Sequence, residues 1–322
     1  MPTVAPYDFD VWVETACFLG DVPCFALGDG TVRLMDGKEK AVDVHKGAIL
    51  STDKTGDDRL LTGGDDGAVK VIDRTGLVSP VADVPRKWID HVAAGPRGVF
   101  GFAYGRMAAV HLTDGALKEF PHERTVEGLS FAPKGLRLAT AHYNGATLLW
   151  VNSGGDPVSL EWKGAHTGVL WSPAGRHVVT LMQENALHGW DLDNAKHMRM
   201  TGYPSKVKAT SWAVKGKWLA TSGANAAVLW PFSGKTGPMG QQPLQLGARE
   251  VLVSAVACHP TEDVVAVGYQ DGMIMACRFA DQNEVLLRRP GKSAITSMAW
   301  SKDGVQLAFG CEEGEAGLVD IR

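Results

Sequence analysis

The stretch Gln306-Leu307-Ala308-Phe309-Gly310-Cys311-Glu312-Glu313-Gly314 is an apolar run that ends in two acidic residues and a glycine. A short apolar run bounded by turn-forming residues reads as a buried strand leading into a tight turn. The stretch has relatives along the chain. Laid in register, they begin at Val22, Arg59, Gly98, Arg137, His177, Trp218, Val264 and Gln306, at spacings of 37, 39, 39, 40, 41, 46 and 42 residues. A period of about 40 residues fits a repeat built from four short strands. Paired helices repeat at similar periods, but their segments need apolar residues at helical spacing, and these segments lack it.

The same offsets recur inside each unit. Seven residues after the start stand Asp29, Asp66, Gly105, Asn144, Glu184, Asn225, Asp271 and Glu313, and a glycine follows in most units. Asx-Gly between two apolar runs is a strong hairpin signal, because the central turn positions favour positive φ. Thirteen residues after the start comes a mostly apolar position, Met35, Ile72, His111, Trp150, Trp190, Cys277 or Val319, with Trp230 one residue early. Aspartate follows it in half the units, as Asp36, Asp73, Asp191 and Asp320. Another apolar run and turn precede each start, as in Leu129-Ser130-Phe131-Ala132-Pro133-Lys134-Gly135, and a more polar strand follows, as in Ala116-Leu117-Lys118-Glu119-Phe120. Each unit therefore predicts four strands, the outermost partly wet.

On these residues the chain resembles the WD-repeat (WD40-type) β-propellers over essentially its whole length. Trp190-Asp191 is a literal Trp-Asp pair, and Leu149-Trp150-Val151 and Leu229-Trp230-Pro231 are degenerate ones. The family's structural tetrad joins a loop His, a strand Ser or Thr, a turn Asp and a strand Trp. The resemblance carries it onto His122, Thr140, Asn144 and Trp150, with Asn in place of Asp. His45, Thr62 and Asp66 match three members and lack the Trp, and the unit from Gly98 to Asp114 has neither the acidic turn nor the Trp.

The resemblance implies an all-β fold: one closed β-propeller of four-stranded antiparallel blades over residues 1–322. The unit count predicts eight blades, or seven if the weak third unit is an insertion. The last unit ends at Ile321-Arg322 after its third strand. The segment from Thr3 to Val11 is therefore expected to complete the last blade and close the ring, which removes exposed edges.

Composition narrows the function classes. The 38 glycines mark turns, and 32 basic against 36 acidic residues leave a net charge of −4. That is too near neutral to draw the chain onto nucleic acid or acidic membranes without specific contacts. The N-terminus has neither a basic start nor an apolar core of the kind a secretory signal needs, and no apolar stretch reaches the length of about 18 residues that spans a bilayer. Five cysteines, an odd number, do not form a disulfide framework and fit a reducing compartment. The expected location is the cytoplasm.

A propeller is a scaffold, so function has to be argued from a site. The loops between units hold Lys46, Arg86, Lys87, Arg124, Lys163, Lys206, Lys208, Arg249, Arg288, Arg289 and Lys292, a basic set in an acidic protein. One reading is a ring of cations that receives an acidic peptide, a C-terminal carboxylate or a phosphate, since Arg forks bind such groups bidentately. The other is local neutralisation by acidic turns such as Asp66, Glu184, Asp271, Glu312 and Glu313. Trp88 and Tyr203 lie in the same loops and are candidate anchors, because aromatic and Arg residues dominate binding hot spots; the alternative is that both pack between blades. The partner-binding candidates are thus Trp88, Arg86, Lys87, Arg124, Tyr203, Lys206, Arg288 and Arg289.

Two further constellations carry less. The cysteines fall in the first, seventh and eighth units (Cys17, Cys24, Cys258, Cys277 and Cys311), without the two-to-four-residue ligand spacing usual for zinc. Cys258, His259 and Cys311 are the nearest to a metal set, and no metal or cofactor is expected. His91 and His166 sit on predicted inner strands near Asp90 and Glu127, but no nucleophile motif, phosphate loop or dinucleotide fingerprint accompanies them. The expectation is a non-catalytic module that presents a loop-built face to a protein or peptide, acidic ones included, with neither nucleic acid nor membrane as partner. A metal-handling or small-ligand-binding accessory protein, using the channel mouth or the cysteines, is the alternative.

Overall fold

The structure, a computed structural model, describes residues 2–234 and 236–322. The strands fall where hydrophobicity and turn chemistry place them. In the second unit, Leu60–Gly64 is buried at every residue, while the strand two places on in the sheet order, Val78–Asp83, is exposed or half-buried throughout. The turn between Leu60–Gly64 and Ala68–Ile72 holds Asp66, whose Oδ1 accepts the Ala68 N–H at 3.1 Å. That local bond is the competition with helix and sheet that makes Asx residues turn formers.

Two apolar layers show adjacent sheets burying their faces against each other. Leu61, Val69 and Val71 of one sheet pack with Val92, Phe100 and Phe102 of the next, and Ile89 of the intervening loop joins them. Farther along, Leu229, Val253, Val265 and Tyr269 form an equivalent layer. Full burial of such side chains is worth roughly 1.5–3 kcal/mol each, so the core is distributed between sheets rather than gathered at one centre.

The count of sheets corrects the expectation of eight separate blades. The described strands form seven sheets, six of them four-stranded. The third unit is not an insertion: His91–Ala94, Phe100–Tyr104, Met107–His111 and Leu117–Pro121 make an ordinary four-stranded sheet. The fourth and fifth units instead run together into one six-stranded sheet. Its two 14-residue strands are Arg137–Trp150 and Val158–Trp171. The first doubles back at Asn144 and Gly145 (φ 69° and 140°), and the tip of that turn stays in the ladder because Tyr143 pairs with Ala165. Thr3–Asp8 does pair with Glu315–Asp320 at the edge of the last sheet, from Thr3 opposite Asp320 to Asp8 opposite Glu315. The seven sheets thus replace the expected closed ring of eight blades. The chain divides into two compact units, residues 1–27, 35–38 and 200–322 in one and 28–34 and 39–199 in the other.

A glycine eight residues into the repeat seats the loop that follows. Gly67 has φ +83°, and a Cβ there would lie 2.4 Å from the Val84 carbonyl oxygen and 2.9 Å from that of Lys87. Gly314 has φ +92°, and its Cβ would lie 2.6 Å from the backbone nitrogens of both Asp10 and Val11. Any side chain would therefore meet both a strained backbone and a colliding loop. These glycines fix the height at which the inter-sheet loops, and the candidate binding residues on them, cross the turns.

Candidate interaction surface

The loop Val84-Pro85-Arg86-Lys87-Trp88-Ile89-Asp90 is bonded to its surroundings along its backbone. Val84 N–H donates to Gly67 O at 2.9 Å, Ile89 N–H to Gly64 O at 3.0 Å and Asp90 N–H to Ala103 O at 3.0 Å. Lys87 N–H closes a turn on Val84 O at 3.2 Å. Pro85 supplies the fixed φ that such a turn favours at its second position. The third position wants glycine or asparagine, yet Arg86 occupies it at φ 64°. Ile89 is fully buried, whereas Trp88 is 66% exposed and Arg86 and Lys87 are exposed. Neither cation forms an ion pair among the described residues, so the loop holds an exposed aromatic residue directly after two unneutralised charges.

The other candidates separate by environment. Arg124 is exposed and lines an open groove with Tyr143 and Lys163. Arg289 is exposed. Lys206 is half-buried and lines a cavity of about 210 Å³ with Trp12, Glu14, Lys208, Gln270 and Glu312. Arg288 is locked in place: its guanidinium pairs with Glu315 at 3.2 Å, lies 4.9 Å from the Phe309 ring centre and donates to Gly272 O. Arg249 pairs with Asp271 at 3.6 Å, and Lys292 with Asp8 at 3.8 Å. Local neutralisation therefore describes these three cations, and Arg86 and Lys87 escape it.

Tyr203 is not an exposed anchor. It is 7% exposed, and its hydroxyl accepts the Trp230 indole N–H at 2.6 Å and bonds Thr221 Oγ1 at 2.7 Å. Thr221 in turn donates its single proton to Val228 O at 2.8 Å, so the Tyr203 hydroxyl is the donor to Thr221. Burial pushes the Tyr203 phenol up to about 12, which keeps that proton in place. Tyrosine here does what a loop histidine does elsewhere in the chain. Burial and the position of Trp230 decide this, and the sequence signals neither.

The tetrad-like set is partly joined. His122 Nε2 bonds Thr140 Oγ1 at 2.9 Å, and Thr140 donates to Thr147 O at 3.3 Å. Asn144 turns away and accepts the Gly164 N–H at 3.3 Å. Trp150 lies outside the set: it is 41% exposed at the strand end, with the Arg137 guanidinium 4.4 Å from its ring centre. The fuller set is the one whose Asp is present. His45 bonds Asp66 at 2.9 Å and Thr62 at 2.8 Å, and Asp66 also accepts the Lys46 N–H at 3.0 Å. Burial lowers the His45 pKa despite the aspartate, so the ring is neutral and acts as a brace between loop and turn.

Cys258, His259 and Cys311 are not brought together as ligands. His259 Nε2 donates to Gly304 O at 3.0 Å, and its Nδ1 accepts the Glu262 N–H at 3.1 Å, so both ring nitrogens are committed. Cys258 donates to Ser211 O at 3.5 Å, and burial holds its thiol up at about 12 and that of Cys311 at about 11. Among the described residues no group of three or more metal-ligating side chains occurs. His91 faces Asp90 and Glu127, but burial lowers its pKa. His166 spends one ring nitrogen on Thr180 at 2.7 Å and the other on Trp162 O at 2.8 Å.

Residues 256–322 match the family described as Anaphase-promoting complex subunit 4 WD40 domain. The chain is similar to WD repeat-containing protein 55 of Rattus norvegicus, 22% identical over 200 residues that cover 60% of this chain and 51% of that protein. To the Mus musculus protein of the same name it is 24% identical over 200 residues, covering 60% and 50%. The chain thus spans about half the length of the curated relatives it matches. Among solved structures it is similar to the computationally designed Ika8 protein, with a TM-score of 0.80 and 19% identity over 98% of both chains. It is also similar to a chain in the crystal structure of the Mitotic Checkpoint Complex, with a TM-score of 0.68 and 15% identity over 85% of this chain and 87% of that one. At these identities the structural likeness shows the fold alone.

Proposed function

Because the chain is a WD-repeat β-propeller protein, we propose that it is a non-catalytic scaffold that docks an acidic segment of a partner protein on the loop carrying Arg86, Lys87 and Trp88. WD40 propellers generally serve as protein-interaction scaffolds and are typically non-enzymatic. One structural relative comes from a protein complex, and the matched family is named for a subunit of one, which supports a place in assemblies. The observation that carries the reading is Trp88, 66% exposed on a loop whose backbone is hydrogen-bonded on both sides of it. A large apolar surface displayed on an ordered loop loses little conformational entropy on binding, and flanking cations with no internal partner favour carboxylates. Arg86 adds to this. A non-glycine residue at positive φ is strained, and such strain collects at functional sites. The five free thiols support a reducing, cytoplasmic setting, and the near-neutral charge supports neither nucleic acid nor membrane as partner.

The test is affinity capture from a native extract with the wild-type chain, Trp88→Ala and the double variant Arg86→Glu/Lys87→Glu, followed by direct binding with the purified partner. Partners that carry acidic segments should be retained by the wild type and lost from both variants, with melting temperatures unchanged. Capture of the same partners by all three proteins would sink the reading.

A further inference from the structure

The cavity of about 210 Å³ lies in the unit formed mainly by residues 200–322, at the ends of strands Val13–Leu19, Val253–Cys258 and Ile295–Trp300. Its volume is below the roughly 300–1,000 Å³ of sites that take a whole small molecule. It has room for one side chain of a longer ligand. Trp12 forms part of the wall and is 44% exposed. Its indole N–H donates to Glu14 Oε2 at 3.1 Å, which fixes the ring against the carboxylate.

Glu14 forms no ion pair among the described residues. Burial therefore pushes its carboxyl up, and the Trp12 bond only partly offsets that rise. An aromatic face beside a half-buried carboxylate without a counter-ion is an incomplete cation site, since each attracts positive charge and the two together do so from different directions.

We propose that this cavity receives an arginine side chain of a partner protein, with the guanidinium lying against the Trp12 ring and forked onto the Glu14 carboxylate. Arginine fits better than lysine because its planar group stacks and donates in parallel, whereas an ammonium is a point charge that prefers water. Lys206 and Lys208 line the same cavity. They suit an acidic residue next to the arginine, and Glu312, which also lines the cavity, offsets their repulsion of the guanidinium. The proposal rests on the scaffold reading only in that its ligand is part of a protein, and it uses a different surface from the Trp88 loop.

The test is isothermal titration calorimetry of the full chain with two blocked heptapeptides, one carrying a central arginine followed by glutamate and the other citrulline at the same place. The arginine peptide should bind at least about tenfold more tightly. Glu14→Gln should erase that preference, and Trp12→Leu should weaken binding of the arginine peptide. The citrulline comparison needs no variant, so it holds even if a substitution harms folding. Trp88→Ala should leave the arginine peptide's affinity unchanged whether or not that variant loses partner capture. Equal affinity for the two peptides, no saturable binding at millimolar concentration, or an undiminished preference in a folded Glu14→Gln protein would overturn the proposal.

Discussion

Removing one oxygen from Tyr203 should destabilise the protein by about 2–4 kcal/mol. The hydroxyl is the middle of a one-way relay from the Trp230 indole N–H, through Tyr203 and Thr221, to the Val228 carbonyl. Tyr203→Phe deletes the bond to Thr221, worth about 1 kcal/mol net, and takes the acceptor from a buried indole N–H, which costs about 1–3 kcal/mol. Thr221 is fully buried, so water cannot repair the gap without opening the sheet. Urea unfolding followed by circular dichroism reads the loss, and the melting temperature should fall by roughly 2–4 °C for each kcal/mol. A double-mutant cycle with Trp230→Phe isolates the pair: once the indole N–H is gone, the Tyr203 change should cost about 1–2 kcal/mol less. Partner capture by Tyr203→Phe at temperatures where it is folded should match the wild type. If Tyr203→Phe unfolds within about 0.5 kcal/mol of the wild type, or if the two substitutions are additive, the relay does not carry the stability assigned to it.

Three other outcomes follow from the same structure. Arg86→Gly should leave stability unchanged or raise it by up to about 1 kcal/mol, because glycine accepts the φ of 64° without strain, while partner capture weakens; a marked loss of stability in thermal melts contradicts this. Gly310→Ala should destabilise by about 1–3 kcal/mol, since its new Cβ would lie 2.2 Å from Val13 Cγ1, and an unshifted urea midpoint would contradict that. Stability should also fall on acidification. Burial lowers the pKa of His45, His91, His122, His166 and His177, and that of His188 to about 3 from an ordinary 6.5. The unfolded chain then binds protons that the folded chain refuses. Stability is whole above the ordinary value and declines below it, for His188 down to its folded value, by at most about 1.4 kcal/mol per pH unit and histidine. Melting temperatures measured from neutral pH to pH ~4 test this, and a flat profile refutes it.

Much of the fold was legible because turns and burial are local. Val22, Arg137, His177, Trp218, Val264 and Gln306, aligned only by sequence register, each begin a strand. The segment Thr3 to Val11 is expected at the edge of the last unit, and Thr3–Asp8 of it pairs there with Glu315–Asp320. The count failed where one backbone pairing, Tyr143 with Ala165, carries the ladder past a turn; no composition signal marks such a bond. The site was less legible for the same reason. Arg288 and Arg86 look alike in sequence, and what separates them is Glu315 and Phe309, which belong to strands 21 and more residues away. Trp88 and Tyr203 are both aromatic residues in inter-sheet loops, and only the presence of Trp230 and Thr221 around one of them turns it inward.

The seating glycines give the loops a particular freedom. Where Gly67 or Gly314 touches a loop, it touches backbone, the carbonyls of Val84 and Lys87 in one case and the nitrogens of Asp10 and Val11 in the other. A seat that reads only main chain is indifferent to the side chains displayed above it. Loop sequences can then diverge, or be exchanged between repeats by grafting, without renegotiating the strands beneath. Recognition in this architecture is thereby free to change at a rate the core does not set, provided the glycine stays.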